Sequence, residues 1–153
     1  MRFQSIRNWY WNKITDTENF VMIISTKGRY ALRVMLELSG YDPEHYVPLK
    51  DIAEHQNVSL KYLESIMSIL VKHKLVVGAS GKGGGYRLKK PADEYTLGEV
   101  LRVTEGNLEP VPCTAQDSEP CERTAICPTY PVWRELSDLI NNFLDSKKLS
   151  DLK

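Results

Sequence analysis

The chain has 153 residues, 42% of them hydrophobic and 26% charged, a globular composition that excludes wholesale disorder. No apolar run approaches the ~18 residues of a membrane span, and the opening MRFQSIRNWYWNKITDTENF lacks the apolar stretch of a secretory leader, so a cytoplasmic protein with no membrane partner is expected. Twenty basic side chains balance twenty acidic ones, yet residues 22–95 hold 11 Lys+Arg against 8 Asp+Glu and residues 96–153 hold 6 against 10, which fits one nucleic-acid face and one effector or dimer region.

Residues 1–21 carry no clear period. Trp9, Tyr10 and Trp11 either pack on the body, meet a partner, or belong to an extension ahead of Met22. Ser25 is placed to cap a helix from about Thr26 to Ser39, with Leu32, Met35, Leu36 and Leu38 as its apolar stripe. Gly40 to Pro43 stops it. Leu49, Ile52 and Ala53 have helical spacing in a second, shorter element that ends near Gln56–Asn57. Ser59 caps a third helix reaching about His73, with Leu60, Leu63, Ile66, Met67 and Leu70 toward the core. Leu75–Val77 and Tyr86–Leu88 read as a hairpin around GASGKGGG, which holds five glycines in eight residues. Thr96 caps a helix from Leu97 to about Glu105. Residues 107–131 form a loop with five prolines and all three cysteines. A final helix runs from about Val132 to Ser146. Its face of Trp133, Leu136, Leu139, Ile140, Phe143 and Leu144 is wider than a small domain easily covers, so self-association is expected.

The segment Leu49–Val71 has helix-turn-helix layout. Ala53 is small enough for the two helices to cross closely, and Val58 can bury itself in the turn. In such a motif the second helix enters the major groove N-terminus first. This places Ser59, Lys61, Tyr62, Glu64 and Ser65 at the DNA, with Lys61 and Tyr62 within reach of phosphates and Glu64 able to accept from a cytosine amino group. Three helices followed by a two-stranded wing is winged-helix order. Ser80, Lys82 and Tyr86 lie on that wing, whose glycine-rich tip permits close backbone approach. Lys82, Arg87, Lys89 and Lys90 supply charge for phosphates. A nucleotide phosphate loop is excluded, because neither GxxxxGK with a following Ser or Thr nor GxGxxG occurs. An enzyme finds little support: His45, His55 and His73 form no layout with a cysteine, and no metalloprotease motif is present.

Cys113, Cys121 and Cys127 are spaced C-x7-C-x5-C. An odd number in a cytoplasmic protein points to metal binding or redox chemistry instead of a disulfide framework. Soft thiolates suit an iron–sulfur cluster. Zinc with a fourth group, or a metal-free thiol-reactive loop, stays open. Pro112, Pro120 and Pro128 stiffen the loop and limit the entropy lost on ligation.

The segments STKGRYALR (25–33), LKDIAE (49–54), SLKYLESIMSIL (59–70), GKGGGYRL (81–88), TLGEVL (96–101) and CPTYPVWRELSDLINNFLDSKKLSDL (127–152) together closely resemble the IscR/NsrR/CymR-type (Rrf) family of winged-helix transcription regulators, most in the style of its iron–sulfur branch. The resemblance covers about residues 22–152. It implies a homodimer on double-stranded DNA whose long C-terminal helices cross, with base-reading positions at Lys61, Tyr62, Glu64 and Ser65. A wing arginine common in the family is replaced by Ser80, with Lys82 two residues on. The resemblance also implies a 2Fe–2S cluster on the three cysteines. The histidine ligand of one branch is replaced by Tyr130 and the acidic ligand of another by Arg29. Glu122, Asp117, Tyr130 or an exogenous thiol or water then remain as a fourth ligand. The rival within the family is a metal-free, cysteine-metabolism-type repressor controlled by a partner protein or by thiol chemistry. The expected organisation is an N-terminal extension (1–21), a mainly helical winged helix-turn-helix domain (22–95), and a cysteine loop with a dimerisation helix (96–153).

Overall fold

The computed structural model describes residues 24–115 and 121–152; Trp9, Tyr10, Trp11, Met22, Asp117 and Pro120 lie outside the described residues. The elements run α1 (Thr26–Leu38), α2 (Leu49–Gln56), α3 (Leu60–Lys72), β1 (Val76–Ala79), β2 (Gly85–Leu88), α4 (Leu97–Glu105) and α5 (Tyr130–Ser146), with single 3-10 turns at Ala92–Glu94, Pro112–Thr114, Thr124–Ile126 and Leu149–Leu152.

Three helices start where a hydroxyl can take an orphan backbone N–H. Ser25 Oγ accepts from Gly28 N at 3.2 Å, Ser59 Oγ from Tyr62 N at 3.2 Å, and Thr96 Oγ1 from Glu99 N at 3.0 Å. Between α2 and α3 the chain reverses through Asn57, which takes a left-handed φ of 52°, a conformation that Asn tolerates better than most side chains. Val58 N then bonds the Ala53 carbonyl at 3.0 Å, and its half-buried side chain packs on the core.

The hairpin is antiparallel, with Val76 opposite Leu88 and Ala79 opposite Gly85. Its first strand begins one residue later than the apolar run suggests. Leu75 is buried instead as the residue closing α3, its N–H bonded to the Leu70 carbonyl at 2.9 Å. A short bridge joins the wing to the approach of α2: Val47 and Tyr86 exchange two backbone bonds of 2.9 Å each. Gly85 makes this possible. Its φ is +155°, and a Cβ there would run into the Val47 carbonyl oxygen.

The main core joins Ala31, Val34, Met35 and Leu38 of α1 to Ile52, Leu63, Ile66, Met67 and Leu70 of the helix-turn-helix, and also to Val100 and Leu149. A smaller cluster of Leu101, Leu108 and Leu144 seats α5 on α4. Helix α1 lies close against α4 because Gly28 presents no side chain there; a Cβ would meet the Glu105 carboxylate and Leu101. The last helix starts at Tyr130, two residues earlier than expected, with Pro131 inside its first turn. That position has no intrahelical N–H bond to lose, so proline is accommodated.

Candidate nucleic-acid interface and cysteine loop

The helix-turn-helix is tied to its surroundings by polar contacts that lie far apart in the sequence. Glu37, near the end of α1, receives both residues that end α2. His55 Nδ1 lies 2.7 Å from Glu37 Oε1, and Gln56 Nε2 donates to Oε2. The carboxylate raises the His55 pKa above its ordinary value, chiefly through that hydrogen bond. Tyr95 is fully buried beneath the wing. Its hydroxyl donates to the Leu75 carbonyl at 2.7 Å and accepts from Lys89 N at 3.2 Å and Lys90 N at 3.0 Å. One side chain thus joins the segment entering the hairpin to the segment leaving it. A local signal for Tyr95 does exist: Tyr95-Thr96-x-x-Glu99-Val100 places an apolar residue before the cap and another four residues into the helix, the pattern of a hydrophobic staple. Both Tyr95 and Val100 lie in the main core.

At the start of α3, Ser59, Lys61, Glu64 and Ser65 are exposed. Ser59 is occupied as the cap, and Ser65 Oγ donates to the Tyr62 carbonyl at 2.6 Å. Tyr62 is half-buried, its ring edge-on to Tyr30 at 6.0 Å between centroids. Ser80 and Lys82 are exposed at the wing tip, where Gly84 N closes a turn onto the Gly81 carbonyl at 3.0 Å; Tyr86 is half-buried. Two of the cations expected to supply charge for phosphates make partly exposed contacts within the chain. Arg87 donates to the Pro43 carbonyl at 3.3 Å, pairs with Glu44 at 3.7 Å and lies over the Tyr46 ring. Lys90 pairs with Glu99 at 3.2 Å and covers the Tyr95 ring. Leu60 also departs from expectation. Helical spacing puts it with Leu63 and Met67, yet it is 45% exposed, because side chains lean toward the N-terminus of a helix and the first residue projects past its end.

The three cysteines lie on the segment joining α4 to α5. Cys113 is half-buried in the turn Pro112–Thr114, which packs against α5. Cys121 is exposed. Cys127 follows the turn Thr124–Ile126 and leads into α5. All three are free thiols, and among the described residues no group of three or more His, Cys, Asp or Glu stands close enough together to hold a metal ion. In donor chemistry the set fits an iron–sulfur cluster, whose iron prefers thiolates. Cys127 is the most prepared. Its Sγ lies 3.3 Å from Thr129 Oγ1, and that hydroxyl, with the Thr129 N–H and the Tyr130 N–H at the start of α5, holds the thiol pKa below its ordinary value. Of the candidate fourth ligands, Glu122 is exposed and Tyr130 half-buried.

The loop is tied to α5 at its other end. Glu109 accepts from Ser137 Oγ and, at 3.1 Å, from Asn141 Nδ2. Arg102 of α4 grips Asp145 and Asn141 of α5. On α5 the wide apolar face divides. Leu144 is buried on the chain's own domain and Ile140 half-buried, whereas Val132, Leu136, Leu139 and Phe143 are exposed in a stripe at i, i+4, i+7 and i+11, with Leu139 at 62% and Phe143 at 59%. No helix among the described residues is long and apolar enough to cross a membrane.

A family model described as Rrf2, iron-dependent transcriptional regulator, matches residues 24–153. The HTH-type transcriptional regulator IscR of Pectobacterium carotovorum is 40% identical over 131 residues, covering 86% of this chain and 79% of that protein. Among solved structures, the global cysteine regulator CymR of B. subtilis superposes with a TM-score of 0.67 at 39% identity, covering 84% of this chain and 93% of that one. The T. potens IscR structure gives 0.63 at 32% identity over 84% and 83% of the two chains.

Proposed function

Because the chain belongs to the Rrf2 family of transcriptional regulators, we propose that it binds double-stranded DNA as a cytoplasmic homodimer and senses iron–sulfur or redox status through Cys113, Cys121 and Cys127. The observation that carries the sensing role is the placement of three free thiols on the one segment that links the DNA-binding body to α5. In this reading residues 22–95 read DNA and residues 96–153 sense and dimerise. Ser59, Lys61, Tyr62, Glu64 and Ser65 face the major groove; Ser80, Lys82 and Tyr86 belong to the wing contact. The exposed stripe on α5 is what a second copy would cover.

A 2Fe–2S cluster, when bound, supplies a one-electron redox centre held by the three thiolates and a fourth donor. The remaining work belongs to the chain. Ligation by Cys113 and Cys127 would link the turn Pro112–Thr114, which packs against α5, to the residue that leads into α5, on a segment that Glu109 also ties to that helix. Such ligation would bear on the placement of α5, and with it on the spacing of two recognition helices in a dimer. DNA affinity would then change by the difference in stability between the ligated and unligated loop.

The 39% identity to a solved cysteine regulator supports a second reading, a metal-free repressor of the cysteine-metabolism type controlled by a partner protein or thiol chemistry. An absorption spectrum of protein purified without oxygen, with iron and acid-labile sulfide assayed, decides between them. Visible bands with iron and sulfide in matching amounts, lost when Cys113, Cys121 and Cys127 are all changed to Ala, support the cluster. A colourless, iron-free protein even after reconstitution selects the metal-free repressor.

A further inference from the structure

Leu60 is the first residue of α3 and stands 45% exposed, while Leu63, Ile66, Met67 and Leu70 on the same helix are all at 0%. Its neighbours on the exposed surface are polar: Ser59, Lys61 and Glu64. Leu60 and Glu64 are four residues apart and so lie one above the other on a single helix face. A large apolar side chain thus sits at the leading end of the helix that enters the major groove, beside a carboxylate suited to a cytosine amino group. The groove offers one apolar feature on base edges, the thymine 5-methyl group.

We propose that Leu60 is a specificity-determining residue that packs on a thymine methyl next to the base pair met by Glu64. The proposal rests on the DNA-binding reading above. Burying the methyl against Leu60 removes apolar area of both partners from water, and deoxyuridine, which pairs like thymidine without the methyl, isolates that contribution.

The test uses the full chain and a duplex that it enriches from a random-sequence pool. Each thymine is replaced singly by deoxyuridine, and affinity is measured by fluorescence anisotropy for the native protein and for Leu60→Ala, Leu60→Met and Val71→Ala. Val71 is an exposed apolar residue at the far end of α3, 39% exposed. The expected result is one thymine per half-site where deoxyuridine weakens native binding about fourfold, the size of one methyl burial. That penalty vanishes in Leu60→Ala and persists in Leu60→Met and Val71→Ala. Because Leu60 makes no part of the core, all three variants should melt with the native protein. Tight binding with the same deoxyuridine penalties in Leu60→Ala overturns the role of Leu60 alone. A Leu60→Ala protein that changes oligomeric mass with no change in the penalties assigns the residue to a protein contact and also overturns it. Failure to enrich or bind any duplex overturns the DNA-binding reading, and this proposal with it.

Discussion

Arg102 on α4 and Asp145 on α5 are joined by two parallel N–H···O bonds of 2.8 Å, and the same guanidinium donates to Asn141 at 2.8 Å. This is the fork geometry that makes arginine–carboxylate pairs directional. It holds α5 on the body beside the small cluster of Leu101, Leu108 and Leu144. The guanidinium lowers the Asp145 pKa below its ordinary value of 3.8. A depressed folded pKa contributes stability above the unfolded value, lost as pH falls through the folded one. Asp145→Asn should therefore flatten the acid limb of the stability curve below about pH 4. At neutral pH it should cost no more than about 1 kcal/mol, since both partners are partly exposed and salt screens them. Urea titrations across pH measure both.

Glu37 and His55 give the opposite sign. The carboxylate raises the folded pKa of His55, so the contribution is complete below the unfolded value and fades as pH rises through the higher folded one. An imidazole titration by NMR should place His55 above the ordinary histidine value. Glu37→Gln should bring it back and remove the corresponding pH dependence of stability.

The wing depends on two residues that lie outside the proposed DNA contacts. Tyr95→Phe removes the hydroxyl shared by Leu75, Lys89 and Lys90 and should cost about 1–3 kcal/mol through backbone groups left unpaired. Gly85→Ala forces a Cβ against the Val47 carbonyl at a φ of +155°. It should destabilise by about 1–3 kcal/mol or more from backbone strain alone, seen as a lower urea midpoint.

Cys127 should be alkylated by iodoacetamide with a midpoint pH below that of an ordinary thiol, because Thr129 and the start of α5 stabilise its thiolate. Thr129→Val removes the hydroxyl beside the thiol and should shift the midpoint upward while leaving α5 intact, since the Thr129 side chain makes no cap bond to that helix. An unchanged midpoint would show that the hydroxyl is not what acidifies the thiol.

If a second copy covers the stripe on α5, Leu139→Glu and Phe143→Glu should each convert a dimer to monomer by sedimentation. Helical content should hold, because both side chains are exposed on the single chain. Retention of the dimer by both variants would place the self-association elsewhere.

The helices, the hairpin and the helix-turn-helix layout were legible in sequence because each depends on neighbours a few residues apart. Ser25, Ser59 and Thr96 cap at short range, and the α3 positions Leu63, Ile66, Met67 and Leu70 repeat with the helix. The cysteine triplet was equally visible as composition and spacing. What tertiary structure alone decided are relations across long separations. Arg87 and Lys90 pair at the surface with Glu44 and Glu99. Tyr95 lies under the wing, Glu37 reaches the end of α2, and Arg102 reaches α5. Leu60 kept the right period and still left the core, since a helix's first residue leans beyond the end of the helix it begins. Periodicity reports which face a residue shares. Only the packed chain determines whether anything stands opposite that face.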